Sequence, residues 1–445
     1  MKMFFKAVAF IFLLSAVIII IPAFIPDDQY TQGVKTWLRK ANNPPVIPDK
    51  LNRLNAFVGF NVEEGKDMLL QGASLIDEEN TRLRSARDSE HQLPAQNEYW
   101  TNPPLKISKH LSEISFVELF AQSPALWLSN NQSRYQALLN DNHILLDRFR
   151  KLITMKQYSY TLKPDINGPF IRYRALTAVK NLNNLSIIDE YIYADKNTAL
   201  KRLQKNITFS KLMMAQSAAL LDKMIAVVFL DSDLKTYSAL LDLRTKQDPA
   251  MQVITNLSDI ERTLLNAYIG EFSALSTSLE LDNLYSSGEP AILEPLVFKF
   301  YLKRKRLENS SHENVWLYNL KQEHMSFAER QQMNKKRSEA KRSWWEYFRD
   351  PLGAVLVDIT MPLNSKPLSR SDHIDAKITL VNIKNKIYSQ ALSAEQIESY
   401  IETVKVDINP AYSGAGVIWN EKNKTLSFSI PNYRDDDIPS VDLNF

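Results

Sequence analysis

From Ala7 to Ile25 the chain reads AVAFIFLLSAVIIIIPAFI, apolar and without a charge, between MKMFFK and Pro26-Asp27-Asp28. As a helix this stretch would be about 28 Å long at ~1.5 Å per residue, close to the ~30 Å hydrocarbon core of a bilayer. It outruns the ~7–15-residue apolar core of a cleaved signal peptide, and no small-x-small pair follows it. The pattern therefore predicts a retained transmembrane anchor at 7–25. Lys2 and Lys6 precede it and Asp27 and Asp28 follow. This asymmetry keeps residues 1–6 as a cytoplasmic tail and delivers everything downstream to the far side of the membrane.

Beyond the anchor the hydrophobic period is mostly helical. Residues 26–50, with Pro44, Pro45 and Pro48, read as a Pro-rich linker, a stiff extended spacer that lifts the next domain off the lipid. Leu51–Arg87 and Tyr135–Lys156 carry helical spacing. Ala175, Ala178, Leu182, Leu185, Ile188 and Ile192 then fall on one stripe, and Asp195 is placed to cap the next helix. In that helix Leu200, Leu203, Ile207, Met214, Leu221, Met224 and Val228 recur at three, four or seven residues. Two long helices joined by so short a turn form an antiparallel αα-hairpin, the expected centre of the body.

Three further starts are written as capping boxes, in which a Ser and a Glu or Gln three residues on satisfy each other's backbone N–H groups: Ser258/Glu261, Ser326/Glu329 and Ser393/Gln396. The first opens a stripe of Ile260, Leu264, Tyr268, Phe272, Leu275 and Leu279. Residues 51–350 are expected to form one helical domain. Pro351-Leu-Gly353 begins a connecting segment, and helices follow over Ser371–Ser389 and Glu395–Val404. Gly416-Val-Ile-Trp419, the turn-like Asn420–Lys424 and alternating Leu426, Phe428 and Ile430 predict a small β-hairpin. Arg434–Phe445 reads as a loose acidic tail. The expected fold is thus mainly α: a transmembrane helix, an irregular multi-helix region and a C-terminal part, 351–445, with helices and a β-hairpin.

Composition removes several functions. With no Cys, disulfides, thiolate metal sites and a Cys nucleophile are excluded. Only 10 glycines occur in 445 residues, and G-x-G-x-x-G, the P-loop and G-x-S-x-G are all missing, which argues against nucleotide binding and α/β-hydrolase chemistry. A formal charge of +3 does not call for nucleic acid. No cofactor and no metal is expected.

Several stretches occur together in order: Leu54-Asn55-Ala56-Phe57-Val58-Gly59-Phe60 with the later Gly72, Leu220-Leu-Asp-Lys-Met-Ile-Ala226, Asp350-Pro-Leu-Gly353, Arg370-Ser-Asp-His373, and Asn409-Pro410 with Ile418-Trp419 and Leu426-Ser-Phe428. Together they resemble a family of proteobacterial single-pass, inner-membrane-anchored periplasmic proteins with no assigned function. Where that family usually has Pro-Tyr/Phe-Thr-Gly, this chain has Pro410-Ala-Tyr-Ser-Gly414. The resemblance implies a periplasm-facing placement and supplies no catalytic residues.

Candidate chemistry is sparse. Asp372, His373 and Asp375 group two carboxylates around an imidazole, but on a helix the imidazole points away from the carboxylates, and the Asp residues also suit a first helical turn. His312-Glu313 and Glu323-His324 have no spacing that brings them together. Ser232–Lys235 and Ser338–Lys341 match S-x-x-K without its companion motifs. Two basic runs stand beside aromatics: Lys303, Arg304, Lys305 and Arg306, and then Lys335, Lys336, Arg337, Lys341 and Arg342 before Trp344 and Trp345. Cations followed by amphipathic rings suit a lipid headgroup layer or an acidic partner; the alternative is a solvated helix face whose rings enter the core. The expectation is a membrane-tethered periplasmic binding or scaffold protein with the inner membrane and an envelope protein as partners, and neither nucleic acid nor nucleotide. The competing reading is a periplasmic hydrolase acting on peptidoglycan or a lipid-linked envelope substrate.

Overall fold

The computed structural model describes residues 25–88, 96–116, 119–120, 123–163, 169, 171–279, 302–340, 343–360, 365–404, 408–430 and 439–443. The expected anchor at 7–25 lies outside them except for Ile25. Among the described residues no helix is long and apolar enough to cross a membrane. The fold is mainly helical, 68% of it helix, with one small antiparallel sheet at the C-terminal end.

Two hydrophobic cores organise the helices. In the larger core, helix Tyr173–Tyr193 packs against Lys196–Gln216 and Leu220–Asp242, and Ser365–Gln390 lies along the last of these. Leu182, Leu185 and Ile188 on the predicted stripe are fully buried. Asp195 accepts from the Asn197 amide at 3.0 Å, capping the second arm of the hairpin as its sequence position predicts.

That second arm is shorter than its apolar spacing implies. The helix stops at Gln216 and a separate one begins at Leu220. The reason lies on another helix, Leu265–Ser278: a Cβ on Gly270 would stand 1.8 Å from the Ala218 carbonyl oxygen, so the two backbones touch there. Next to it Glu271 accepts from the Leu220 amide at 2.8 Å, satisfying one of the exposed N–H groups of the new helix. Leu221 and Val228, counted in the stripe, are exposed.

At the centre of this core Lys180 and Asp233 form a completely buried ion pair, joined by Asn184 and by Ser210, which donates to Asp233 at 2.7 Å. Ser232, of the first S-x-x-K match, accepts from Asn184 at 2.9 Å and donates to Asn181 at 2.7 Å, while Lys235 pairs with Asp231. Its serine and lysine are thus used separately, as parts of a bundle whose polar groups find partners inside it.

The smaller core joins Val34 and Trp37 to Leu264, Tyr268, Phe272, Leu307, Trp316 and Val357. Its first two members correct the linker reading: Gln32–Asn42 is a helix, with Thr31 as N-cap, packed into the body. Pro351–Thr360 is likewise a helix and not a connection. The predicted 371–389 helix runs longer, as Ser365–Gln390. All three capping boxes form; the first opens only the single turn Asp259–Arg262, before the chain restarts at Leu265. Ile260 of the predicted stripe is exposed, while Leu264, Tyr268 and Phe272 are buried.

The hairpin β1 Gly416–Asn420 and β2 Thr425–Ser429 pairs Val417 with Phe428 and Trp419 with Leu426. A third strand, β3 Ser440–Asp442, adds to β2 through Leu426 and Val441. Part of the expected loose tail is therefore sheet, because Val441 is buried between two exposed neighbours.

Candidate functional site

The residues that would leave the anchor are fastened to the body at once. Asp27 accepts from the backbone amides of Lys305 and Arg306, at 2.8 and 3.1 Å, at the start of helix Arg304–Ser311. Asp28 accepts from Arg306 Nη2 and Nε at 2.7 and 3.0 Å and lies 3.5 Å from Arg349. Asn309 continues the seam, donating to the Gln29 carbonyl at 2.8 Å and accepting from the Thr31 amide at 3.0 Å. The Arg306 hydrogen bonds hold the Asp28 carboxyl below its ordinary range.

The first basic run is thereby mostly consumed inside the fold. Lys303 is buried, Arg304 pairs with Glu308 at 2.7 Å, Lys305 lies 5.7 Å from the Tyr30 ring centre, and Arg306 is committed to Asp28. The second run differs. Lys335 and Lys336 are exposed near the end of helix Phe327–Glu339, and Arg337 stacks over the Tyr318 ring. Lys341 and Arg342 lie outside the described residues. The short helix Trp344–Arg349 follows, capped by Ser343 and with no buried residue. Trp344 is 72% exposed and Trp345 48%. They contact each other and Phe348, so the rings make one aromatic cluster on the surface. Its last residue, Arg349, is the one that reaches Asp28.

Asp372, His373 and Asp375 take up interior positions on helix Ser365–Gln390. Asp372 accepts from Arg330 at 2.5 Å. Asp375 accepts from the Leu257 amide at 2.7 Å and from Asn409 at 3.1 Å. Burial, the dominant cause, pushes both carboxyls up to about 6 in spite of these partners. His373 meets the Tyr412 hydroxyl at 2.7 Å and stacks on Phe327. These contacts bind the helix to its neighbours. His312 is buried against Trp37 and Phe272, while Glu323 accepts from the Leu264 amide at 2.7 Å, so the two His–Glu pairs serve different contacts. Among the described residues no group of three or more His, Asp or Glu side chains is placed to hold a metal ion.

One feature had no signal in the sequence. A cavity of about 560 Å³ opens between residues 158–163, 169, 171 and 173, the 215–222 helix break, helix Leu265–Ser278 and the Asn43–Pro45 turn. Tyr158 and Tyr173 line it and both donate to Asp222, at 2.7 and 2.5 Å. Tyr160 and Glu271 also line it. These residues come from four separate segments, joined by the Tyr158 and Tyr173 bonds to Asp222, the Leu220–Glu271 bond and the close Gly270–Ala218 approach.

No family model matches the chain, and no curated protein or solved structure shows significant similarity to it.

Proposed function

We propose that this chain is a non-enzymatic scaffold of the cell envelope, tethered to the inner membrane by residues 7–25, with its helical body lying on the periplasmic membrane surface. It would belong with the single-pass envelope proteins that its sequence resembles. The observation that carries the reading is the seam between Asp27–Asp28 and Arg306–Arg349. With two residues from Ile25 to Asp27, the chain spans at most about 7 Å between the two. That is roughly the depth of one headgroup layer, taken as half the difference between the ~30 Å core and the ~40–45 Å whole bilayer. A body fastened at Asp28 cannot stand off the membrane on a spacer. Trp344 and Trp345 lie about 8 Å or less from Arg349 along their helix axis, at ~1.5 Å per residue, so in this reading the aromatic cluster would face the headgroup layer. Tryptophans concentrate at that depth, and anionic lipid attracts Lys335 and Lys336.

The absence of Cys makes orientation testable in the full chain. A single Lys422→Cys in the exposed β1–β2 turn gives one thiol. A membrane-impermeant maleimide should label it in intact spheroplasts as fully as after lysis. Labelling only after lysis would place the body in the cytoplasm and end this reading.

A further inference from the structure

The cavity where the two cores meet is a second site, independent of the membrane placement. We infer that it receives a small organic cation with an apolar body, the ammonium group seated at Glu271 and the apolar part against Tyr158, Tyr160 and Tyr173.

Four observations support this class of ligand. The volume, about 560 Å³, falls in the ~300–1,000 Å³ range of small-molecule pockets. The lining is more apolar than polar, with Leu221, Ile269 and three tyrosines among its walls. Aromatic faces beside a carboxylate are what an alkylammonium needs, since the ring quadrupole and the negative charge attract it together.

The third observation concerns which carboxylate is available. Asp222 has both oxygens engaged by the phenols of Tyr158 and Tyr173, and the Arg53 guanidinium, 5.2 Å from the Tyr158 ring centre, supplies a compensating charge behind them. Glu271 has one amide donor, Leu220, and no lysine or arginine among the described residues pairs with it. Burial and the nearby Asp222 raise its carboxyl, the response of a charge without a counter-charge. Lys40 and Lys163 also line the cavity; Lys40 is turned to Asn266, to which it donates at 3.0 Å.

Fourth, the Tyr160 hydroxyl makes no hydrogen bond among the described residues although the ring lines the cavity. A ligand N–H is a fitting partner for it. A hard inorganic cation is disfavoured, because calcium takes about 6–8 oxygen ligands and, among the described residues that line the cavity, Glu271 is the one carboxylate with an oxygen to spare. An anion would meet the Asp222 and Glu271 carboxylates, and of the two lysines on the wall Lys40 is turned to Asn266.

The test is calorimetric titration of the purified full-length chain in non-ionic detergent with phenethylammonium, 2-phenylethanol and 3-phenylpropanoate, which share a body and differ in charge. The ammonium should bind at least about tenfold more tightly than the alcohol, and the carboxylate more weakly still. Glu271→Gln keeps an acceptor for the Leu220 amide and should lose that advantage, with binding of the alcohol unchanged. Should Glu271→Gln fail to fold, Tyr160→Leu keeps the carboxylate and should weaken the ammonium more than the alcohol. Equal affinity for ammonium and alcohol, an unaltered ammonium affinity in folded Glu271→Gln, or no binding of phenethylammonium to folded protein would each overturn the assignment. None of these results depends on where the body sits relative to lipid.

Discussion

Arg306 grips Asp28 through both carboxylate oxygens, at 2.7 and 3.0 Å, while its own backbone amide donates to Asp27 at 3.1 Å. One residue thus holds two consecutive acids from 278 and 279 positions earlier in the chain. The pair is only partly shielded, with 13% and 39% of the two side chains exposed. Its contribution is therefore that of a semi-exposed salt bridge, about 0.5–1 kcal/mol.

Removing that grip should have a pH signature. Asp28 is held below its ordinary value, chiefly by the Arg306 hydrogen bonds. Its stabilisation is fully present above the unfolded value near 3.8 and is lost as pH falls through the lower folded value. Arg306→Gln should cost about 0.5–1 kcal/mol at neutral pH and less below pH 3.8. Denaturation midpoints of the two proteins across that range check it; a pH-independent difference would mean the carboxylate is not the partner that matters.

Gly270 should tolerate no side chain. A Cβ there would fall 1.8 Å from the Ala218 carbonyl oxygen, far inside contact distance and against backbone, which cannot rotate away. Gly270→Ala should cost about 1–3 kcal/mol through overpacking and should also disturb the cavity whose wall this contact sets. Gly416→Ala is the control, since nothing lies within 4 Å of its added Cβ; a change within about 0.5 kcal/mol is expected. Urea denaturation of both variants decides it.

Arg330 and Asp372 make a pair that can be broken from one side. Arg330→Met leaves Asp372 buried without its cation and should cost about 3–5 kcal/mol. Burial already raises Asp372 to about 6, so its neutral form is favoured in the fold. That preference supports stability fully below the unfolded value near 3.8 and is lost as pH rises through about 6. The variant should therefore lose more at about pH 8 than at about pH 5, on either side of that titration. Equal losses at both would show that Asp372 does not ionise in this window.

Much of the helical plan was legible because local chemistry wrote it. Asp195, Ser258, Ser326 and Ser393 all cap helices, and each is readable from the polar residue before an apolar run. The β1–β2 turn was legible for the same reason. The break at Ser217–Ala219 was not, since the apolar spacing continues across it and its cause is Gly270, far along the chain. Helix Gln32–Asn42 was masked by the prolines that follow it; Val34 and Trp37 carry its burial. Of the candidate site residues, Trp344 and Trp345 are on the surface, whereas in the first basic run Arg304 pairs with the nearby Glu308 and Arg306 with Asp28, an acid that sequence distance hides. The cavity was illegible because its tyrosines and acids come from segments with no common pattern.

The most direct test of the account reconstitutes the full chain in bilayers containing anionic lipid brominated near the headgroup and follows tryptophan quenching. Wild type should be quenched, and the Trp344→Phe, Trp345→Phe double variant should lose most of that quenching while keeping its helical signal and stability. Quenching that is unchanged in the double variant, or absent from the wild type, would contradict a body that rests on the membrane through this aromatic face.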